Sequence, residues 1–282
     1  MELVPLKTSL GHVLHVVKYK GQSKKASFVI SSATGVLQKY YHNFALHLQQ
    51  EGYTVYTFDY YGIGDSGGNE KDLKENTVTL SDWSKIDQAS VIEFAKKQTP
   101  DRKIYLVTHS IGGQLFGLNP NHHMVDKVLM VASQSGYWRY YKGIHYPKMW
   151  LFWHALIPSL TPLFGYFPSK KLGLFENIPK NVAYEWMRWG KHPCYMLGHL
   201  SNDAHFFDKI KIPIKILTFP RDIYAPVAAA KWLGLQFQNA QVTHQHIIPE
   251  IENLPEIGHF GFFRTKFKDS LWKGTIDWFE SN

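Results

Sequence analysis

Cysteine is almost missing from this chain: 282 residues contain one, Cys194. No disulfide can close within it, so stability has to come from a packed core, and a reducing, cytoplasmic setting is the expectation. Long apolar runs are missing too. A membrane-spanning helix needs ~20 consecutive apolar residues, and the longest candidate, Met149 to Pro158, is interrupted by His154 and closed by proline. Stable membrane insertion is therefore not expected. The first 21 residues alternate apolar and polar types and lack the apolar block of a signal peptide. Acidic residues are few, 23 against 31 Lys and Arg, for a formal net charge of +8. A basic balance can draw anions, membranes or nucleic acid. The basic pairs Lys24-Lys25 and Lys170-Lys171 are short and isolated, however, and no basic stripe or nucleic-acid module is present, so nucleic acid is not an expected partner. A solvated surface accounts for the charge.

What is present points to an α/β protein. A chain of this length buries roughly three quarters of its unfolded surface, which suits one large domain or one domain with an insertion. Strands are expected at Val13 to Lys18 and Ala26 to Ser31. A small-residue loop, Ser31-Ser-Ala-Thr-Gly-Val36, leads into a helical pattern through Tyr40, Phe44 and Leu48, and Tyr53 to Phe58 is the next strand. That is a βαβ unit. A helix follows over Ser81 to Lys97, capped by Ser81 and stopped before Pro100. Further strands are expected at Val125 to Ala132, Ile212 to Phe219 and Val242 to Ile248.

The most informative run is Ile104 to Leu118. Its first residues form a short buried strand, and from Ile111 the pattern suits a helix, so Ser110 must turn the chain in almost no space. Such a turn strains the backbone and pushes the side chain out at the top of the sheet. Gly112 and Gly113 let the helix pass close to the strand. The helix aims its free N–H groups at the same point, placing the Ile111 N–H to hold an oxyanion. Two further residues lie just past strand ends, where open α/β sheets bind ligands: Asp222 and His259. A serine needs a base, a histidine titrates in the right range, and a buried carboxylate on its other nitrogen fixes the tautomer. Gly258 lets a loop, Leu254 to Arg264, deliver His259.

Between residues 137 and 205 the strand–helix alternation stops. Aromatics crowd in, among them Trp138, Tyr141, Trp150, Trp153, Phe175 and Trp186, with prolines at 147, 158, 162, 168 and 179. This is too apolar for a linker and too broken for strands, and reads as a mostly helical insertion over the sheet's C-terminal edge. Most of these aromatics would form its own core, and a few would line a pocket.

The chain resembles the α/β-hydrolase superfamily over nearly its whole length. The likeness rests on Thr108-His-Ser-Ile-Gly112, close to the nucleophile elbow G-x-S-x-G with Thr108 in place of the first glycine. It rests also on Asp59-Tyr-Tyr-Gly-Ile-Gly64, on Ala132-Ser-Gln-Ser-Gly-Tyr-Trp138, on Ile257-Gly-His-Phe-Gly-Phe-Phe-Arg264, and on the chain order Ser, Asp, His. More narrowly it is similar to a branch of predicted bacterial α/β-hydrolases. The resemblance implies a mostly parallel twisted sheet flanked by helices, with core segments 1–136 and 206–282 and a helical cap at 137–205. It implies a Ser110–His259–Asp222 triad and an oxyanion hole of Ile111 with Thr34, or Gly35. The expected activity is a serine hydrolase cleaving an ester or thioester of an apolar acyl group through an acyl-enzyme, without cofactor or metal and with a small-molecule acyl substrate. The alternative is a binding protein that kept this fold without catalysis, for which Thr108 is the only sequence support.

Competing readings are weaker. Gly62, Gly64 and Gly67 spell G-x-G-x-x-G after a strand, but Asn69 to Lys74 reads as polar loop and Asp82 starts a helix, so a dinucleotide site is not expected. His244 and His246 share a strand face without a third metal ligand, and His122-His123 reads as loop. Asp203 and Asp208 precede a strand, and Glu256 sits too close in sequence to orient His259.

Overall fold

The computed structural model describes residues 1–22, 26–250 and 253–281, so Lys24 and Lys25 lie outside the described residues. Two strands open the chain, β1 (Glu2–Lys7) and β2 (Val13–Tyr19), paired antiparallel. They are followed by β3 (Ser27–Ser31), α1 (His42–Gln50) and β4 (Thr54–Phe58). Next come α2 (Glu70–Glu75), α3 (Leu80–Asp82), α4 (Ala89–Gln98), β5 (Ile104–His109), α5 (Ile111–Phe116) and β6 (Lys127–Val131). The sheet order is β1-β2-β4-β3-β5-β6-β9-β10, where β9 and β10 come late in the chain, and every neighbouring pair from β4 onward is parallel. The β1–β2 ribbon joins the parallel part antiparallel to β4.

Parallel strands covered by helices on both faces read as unbroken apolar runs, and every residue of β3, β4 and β5 is buried. Successive side chains then point to opposite faces. Phe28 and Ile30 of β3 pack in the cluster with Phe44 and Trp272, whereas Val29 packs in the one with Trp83 and Ile92.

From β6 the alternation breaks as the sequence suggests. The segment builds α6 (His145–Leu151) and α7 (Ile157–Phe164), joined by a π-helical turn, then a two-stranded antiparallel sheet of β7 (Tyr166–Phe167) and β8 (Ile178–Pro179), and α8 (Lys180–Lys191). Alternation resumes with β9 (Pro213–Thr218), α9 (Val227–Gln236) and β10 (Gln241–His246), and the chain closes with α10 (Gly258–Gly261) and α11 (Lys273–Glu280).

Four local expectations are corrected. The edge strand β1 went unread, because its half-exposed alternation carries little apolar signal. The helix after residue 79 is capped by Thr79, in a capping box with Asp82; the Ser81 hydroxyl instead donates to the Glu185 carboxylate of α8 at 2.7 Å. Residues 69–74 are not a polar loop, since Asn69 and Asp72 form a capping box that starts α2. His259 sits in a single helical turn, α10, rather than in a plain loop.

Candidate active site

The turn between β5 and α5 is as tight as the sequence demands. Ser110 has φ 52° and ψ −114°, a conformation that L-residues rarely adopt. Such backbone costs on the order of 1–3 kcal/mol and persists only where the surroundings hold it. Here Ser110 N–H donates to the Val131 carbonyl at 3.0 Å, and the Ser110 carbonyl accepts from Gly113 N–H at 3.2 Å. Gly113 is obligatory. A Cβ there would stand 2.3 Å from Ser133 Oγ and 2.8 Å from Thr108 Oγ1. Thr108 occupies the elbow's first position as a buried residue of β5. Its hydroxyl lies 3.4 Å from the Leu129 carbonyl, and the space its side chain takes is space Gly113 leaves.

Asp222 follows β9, and its carboxylate is fully enclosed. Oδ1 accepts the N–H groups of Tyr224 and Ala225 at 2.9 and 2.8 Å, which aims it at His259. The distances from His259 Nδ1 to its two oxygens are 3.0 and 2.9 Å. A carboxylate only accepts, so Nδ1 carries the proton and Nε2 is left as a base. The other acids stand elsewhere. Glu250 and Glu256 pair with Arg221, which turns away from its neighbour Asp222; Asp208 pairs with Lys209, and Asp203 is exposed.

Ser110, His259 and Thr34 line one cavity of about 350 Å³. Its walls are mainly apolar: Phe152, Trp153, Leu156, Phe175 and Trp186 from residues 137–205, with Tyr224 and Phe260 from the core. Charge is not absent, since Lys148 and His145 also line it. Thr34 faces this space. Gly35 instead gives its carbonyl to the Glu176 N–H at 3.0 Å, tying the loop after β3 to the 137–205 segment.

The structure adds a residue that sequence reasoning passed over. His109, beside Ser110, is completely buried. Its Nε2 lies 3.0 Å from the His259 carbonyl and its Nδ1 2.9 Å from the Tyr41 hydroxyl, which is 2.9 Å from the Ala33 N–H. The bookkeeping has one solution. The carbonyl accepts, so Nε2 carries the proton; Nδ1 accepts from Tyr41, and the Tyr41 oxygen accepts from Ala33. One chain of hydrogen bonds thus joins the loop after β3, the serine turn and the histidine turn. Burial, with the nearby His259 charge adding to it, holds the His109 pKa well below the ordinary value. His109 therefore stays neutral. Gln134 was also passed over: it lines the cavity, donates to the Tyr224 carbonyl at 2.9 Å, and has a buried Oε1 without a partner.

The rejected motifs find structural roles. Of the glycines after β4, Gly64 packs on a carboxylate: a Cβ there would stand 2.5 Å from Oδ2 of Asp59, which accepts from the N–H groups of Gln38 and Asp65 at 2.7 and 3.3 Å. His244 and His246 flank the Thr218 hydroxyl at 2.9 and 3.0 Å on the edge strand.

Comparison with known proteins agrees with this architecture. The family described as the α/β hydrolase fold matches residues 30–166. The chain has the α/β-hydrolase fold. Solved α/β-hydrolase structures align along the full length. An esterase from Exiguobacterium antarcticum superposes with a TM-score of 0.64 at 15% identity, covering 99% of each chain. Est1E from Butyrivibrio proteoclasticus, with ferulic acid bound, gives 0.62 at 15% identity and covers 100% of each. DcsB in complex with a substrate analogue gives 0.66 at 15%, covering 98% of this chain and 97% of its own. No curated protein matches the sequence. At such identities the likeness carries the α/β-hydrolase fold and not a substrate.

Proposed function

We propose that the protein is a serine hydrolase that cleaves a carboxylic ester or thioester of an apolar acyl group, with residues 137–205 as its cap. The observation that carries this reading is the strained Ser110 opening into the same apolar cavity as His259, whose Nδ1 is held 2.9 Å from the buried Asp222. In the proposed reaction Ser110 Oγ attacks the acyl carbonyl carbon while His259 Nε2 takes its proton. The carbonyl oxygen gains the negative charge, stabilised by the N–H groups of Ile111 and Thr34. Collapse expels the alcohol or thiol, which leaves with the proton from His259, and the acyl group remains on Ser110. Water, deprotonated by the same nitrogen, then releases the acid.

Support for an ester substrate also comes from the esterases among the structures of similar fold. The non-catalytic alternative drew on Thr108, and the accommodation of that side chain opposite Gly113 weighs against it. A fluorophosphonate probe tests the reading: Ser110 should label covalently, and the Ser110→Ala variant should not. An intact, folded protein that resists the probe would sink it.

A further inference from the structure

The cap is lopsided in charge and apolarity in a way the catalytic reading does not use. Residues 137–175 contain five Lys or Arg (Arg139, Lys142, Lys148, Lys170 and Lys171) and no Asp or Glu, although Lys170 pairs with the carboxylate of Glu176, the next residue; Arg139, Lys142 and Lys148 flank the exposed apolar helix without an acid in residues 137–151. On α6 and the turn before it, Ile144 is 63% exposed, Tyr146 41%, Trp150 45% and Leu151 46%. The inward positions of the same helical stretch, Met149, Phe152, Trp153, Leu156 and Ile157, already bury its core-facing side. The outward face is therefore apolar where an ordinary surface helix would be polar. The patch is continuous with the cavity mouth, because Leu151, Leu174 and Ile223 line the cavity and are also exposed.

We infer that this face of the cap docks on an anionic lipid bilayer and opens the catalytic cavity directly toward it. Large apolar and amphipathic rings beside lysines, without acids, suit the headgroup boundary: the rings enter the interface while the ammonium groups meet lipid phosphates. The helix lies on the membrane rather than across it, and no described helix is long and apolar enough to cross one. A second copy of the chain is a poorer occupant, since a two-fold contact would set Arg139, Lys142 and Lys148 against their own copies. The docking surface stands independently of the hydrolase reading. Only its consequence rests on that reading, namely that the acyl ester is borne by a lipid and enters from the bilayer side.

Vesicle sedimentation tests the inference without using hydrolysis. The full chain should pellet with vesicles of phosphatidylcholine mixed with phosphatidylglycerol, pellet far less with phosphatidylcholine alone, and release as salt rises. Ser110→Ala should bind as wild type does, so loss of catalysis and loss of docking are separable. Ile144→Ser with Trp150→Ser should weaken partitioning ~10-fold or more. Lys142→Glu should weaken it ~5-fold or more. Leu235→Ser, which removes an exposed leucine on α9 away from the cap, should change nothing. Unchanged circular dichroism and an unchanged urea-unfolding midpoint would show that the variants are folded. Should the double serine variant misfold, Lys142→Glu and the salt series still decide. Failure to pellet with anionic vesicles, or binding that survives these substitutions, overturns the inference. So does a solution dimer that the double serine variant converts to monomer, for the face would then be covered by a second copy.

Discussion

The two halves of the cavity wall are built on opposite principles. On the sheet side nearly every functional group is buried and fixed by hydrogen bonds with one assignment: Asp222 by two backbone N–H groups, His259 by Asp222, and His109 between Tyr41 and the His259 carbonyl. On the side of the proposed cap the wall is Phe152, Trp153, Leu156 and Trp186, whose surfaces toward the cavity are apolar and meet in ring contacts such as the edge-on pair of Trp153 and Trp186 at 4.9 Å, while the two indole N–H groups bond to the Gly136 carbonyl and the Tyr195 hydroxyl. Hydrogen-bonded groups in a dry site have one geometry and fail abruptly when a partner is lost. Apolar walls contribute in proportion to the area they cover and respond gradually. The sheet side should therefore set whether the reaction happens, and the cap side on what. Mutations can break that division or sharpen it.

The largest effects should come from the sheet side. Ser110→Ala should cut kcat for a short p-nitrophenyl ester by ~10⁶, because no other group supplies the nucleophile. Asp222→Asn should cut it by ~10⁴, since the amide permits the wrong histidine tautomer, while Glu256→Gln, which disturbs only the pairing with Arg221, should cost less than ~10-fold. The Asp222 and Glu256 variants should keep the wild-type dependence on acyl length. A triad variant that also changed acyl preference would undo the separation of roles.

That separation also explains what the sequence made legible. Parallel strands covered on both faces announce themselves as apolar runs, and the residues just past their ends are few, which together with the elbow motif and the chain order made Ser110, Asp222 and His259 the candidates. The strand β1 escaped because it lies at the sheet edge, where half-exposed alternation looks like loop. Thr79 lost its capping role to Ser81 in the reading because only geometry distinguishes two hydroxyls two residues apart. His109 could not be found at all: its partners are Tyr41 and the backbone of His259, 68 and 150 residues away, and no spacing rule reaches that far. Residues 137–205 were legible as a change of composition, not as a shape.

On the cap side the expected response is graded. The kcat/KM for p-nitrophenyl esters should rise from acetyl to butyryl or hexanoyl, by ~10-fold or less for each added methylene. Trp186→Ala should flatten that rise without changing probe labelling of Ser110 by more than ~3-fold, because it removes apolar wall and no hydrogen bond to the triad. A flat series in the wild type would mean that the cap aromatics serve only their own packing.

Tyr41→Phe should have a smaller effect on activity and reveal the bracing chain. It leaves the Ala33 N–H and His109 Nδ1 without partners in a buried site, a loss of ~2–5 kcal/mol in stability measured by urea unfolding. The Ser110 labelling rate should drop ~10-fold as the three loops lose their common tie, with the acyl-length series unaltered. Unchanged labelling would mean that the serine and histidine turns hold their positions without the bridge.

The smallest expected effect on catalysis belongs to Asp59, a buried carboxylate of the sheet side that touches neither wall of the cavity. Burial is the dominant influence and raises its pKa from 3.8 to about 6, against the hydrogen bonds from Gln38 and Asp65 that favour the charged form. A carboxyl whose folded pKa lies above its unfolded one binds its proton more tightly in the native state. Its contribution to stability is thus greatest below about pH 4 and falls as pH rises through about 6, the full cost of the buried charge being reached by about pH 7. A shift of about two units corresponds to ~3 kcal/mol. Asp59→Asn cannot titrate. Its amide keeps an acceptor for Gln38 but turns a donor toward the Asp65 N–H, a penalty that does not vary with pH. The difference in unfolding free energy, variant minus wild type, should therefore grow by ~2 kcal/mol between pH 4 and 6, reach ~3 kcal/mol in all by about pH 7, and stay level above. Urea titrations at unit pH steps measure it, and a difference that stays constant across that window would show that Asp59 is ionised throughout.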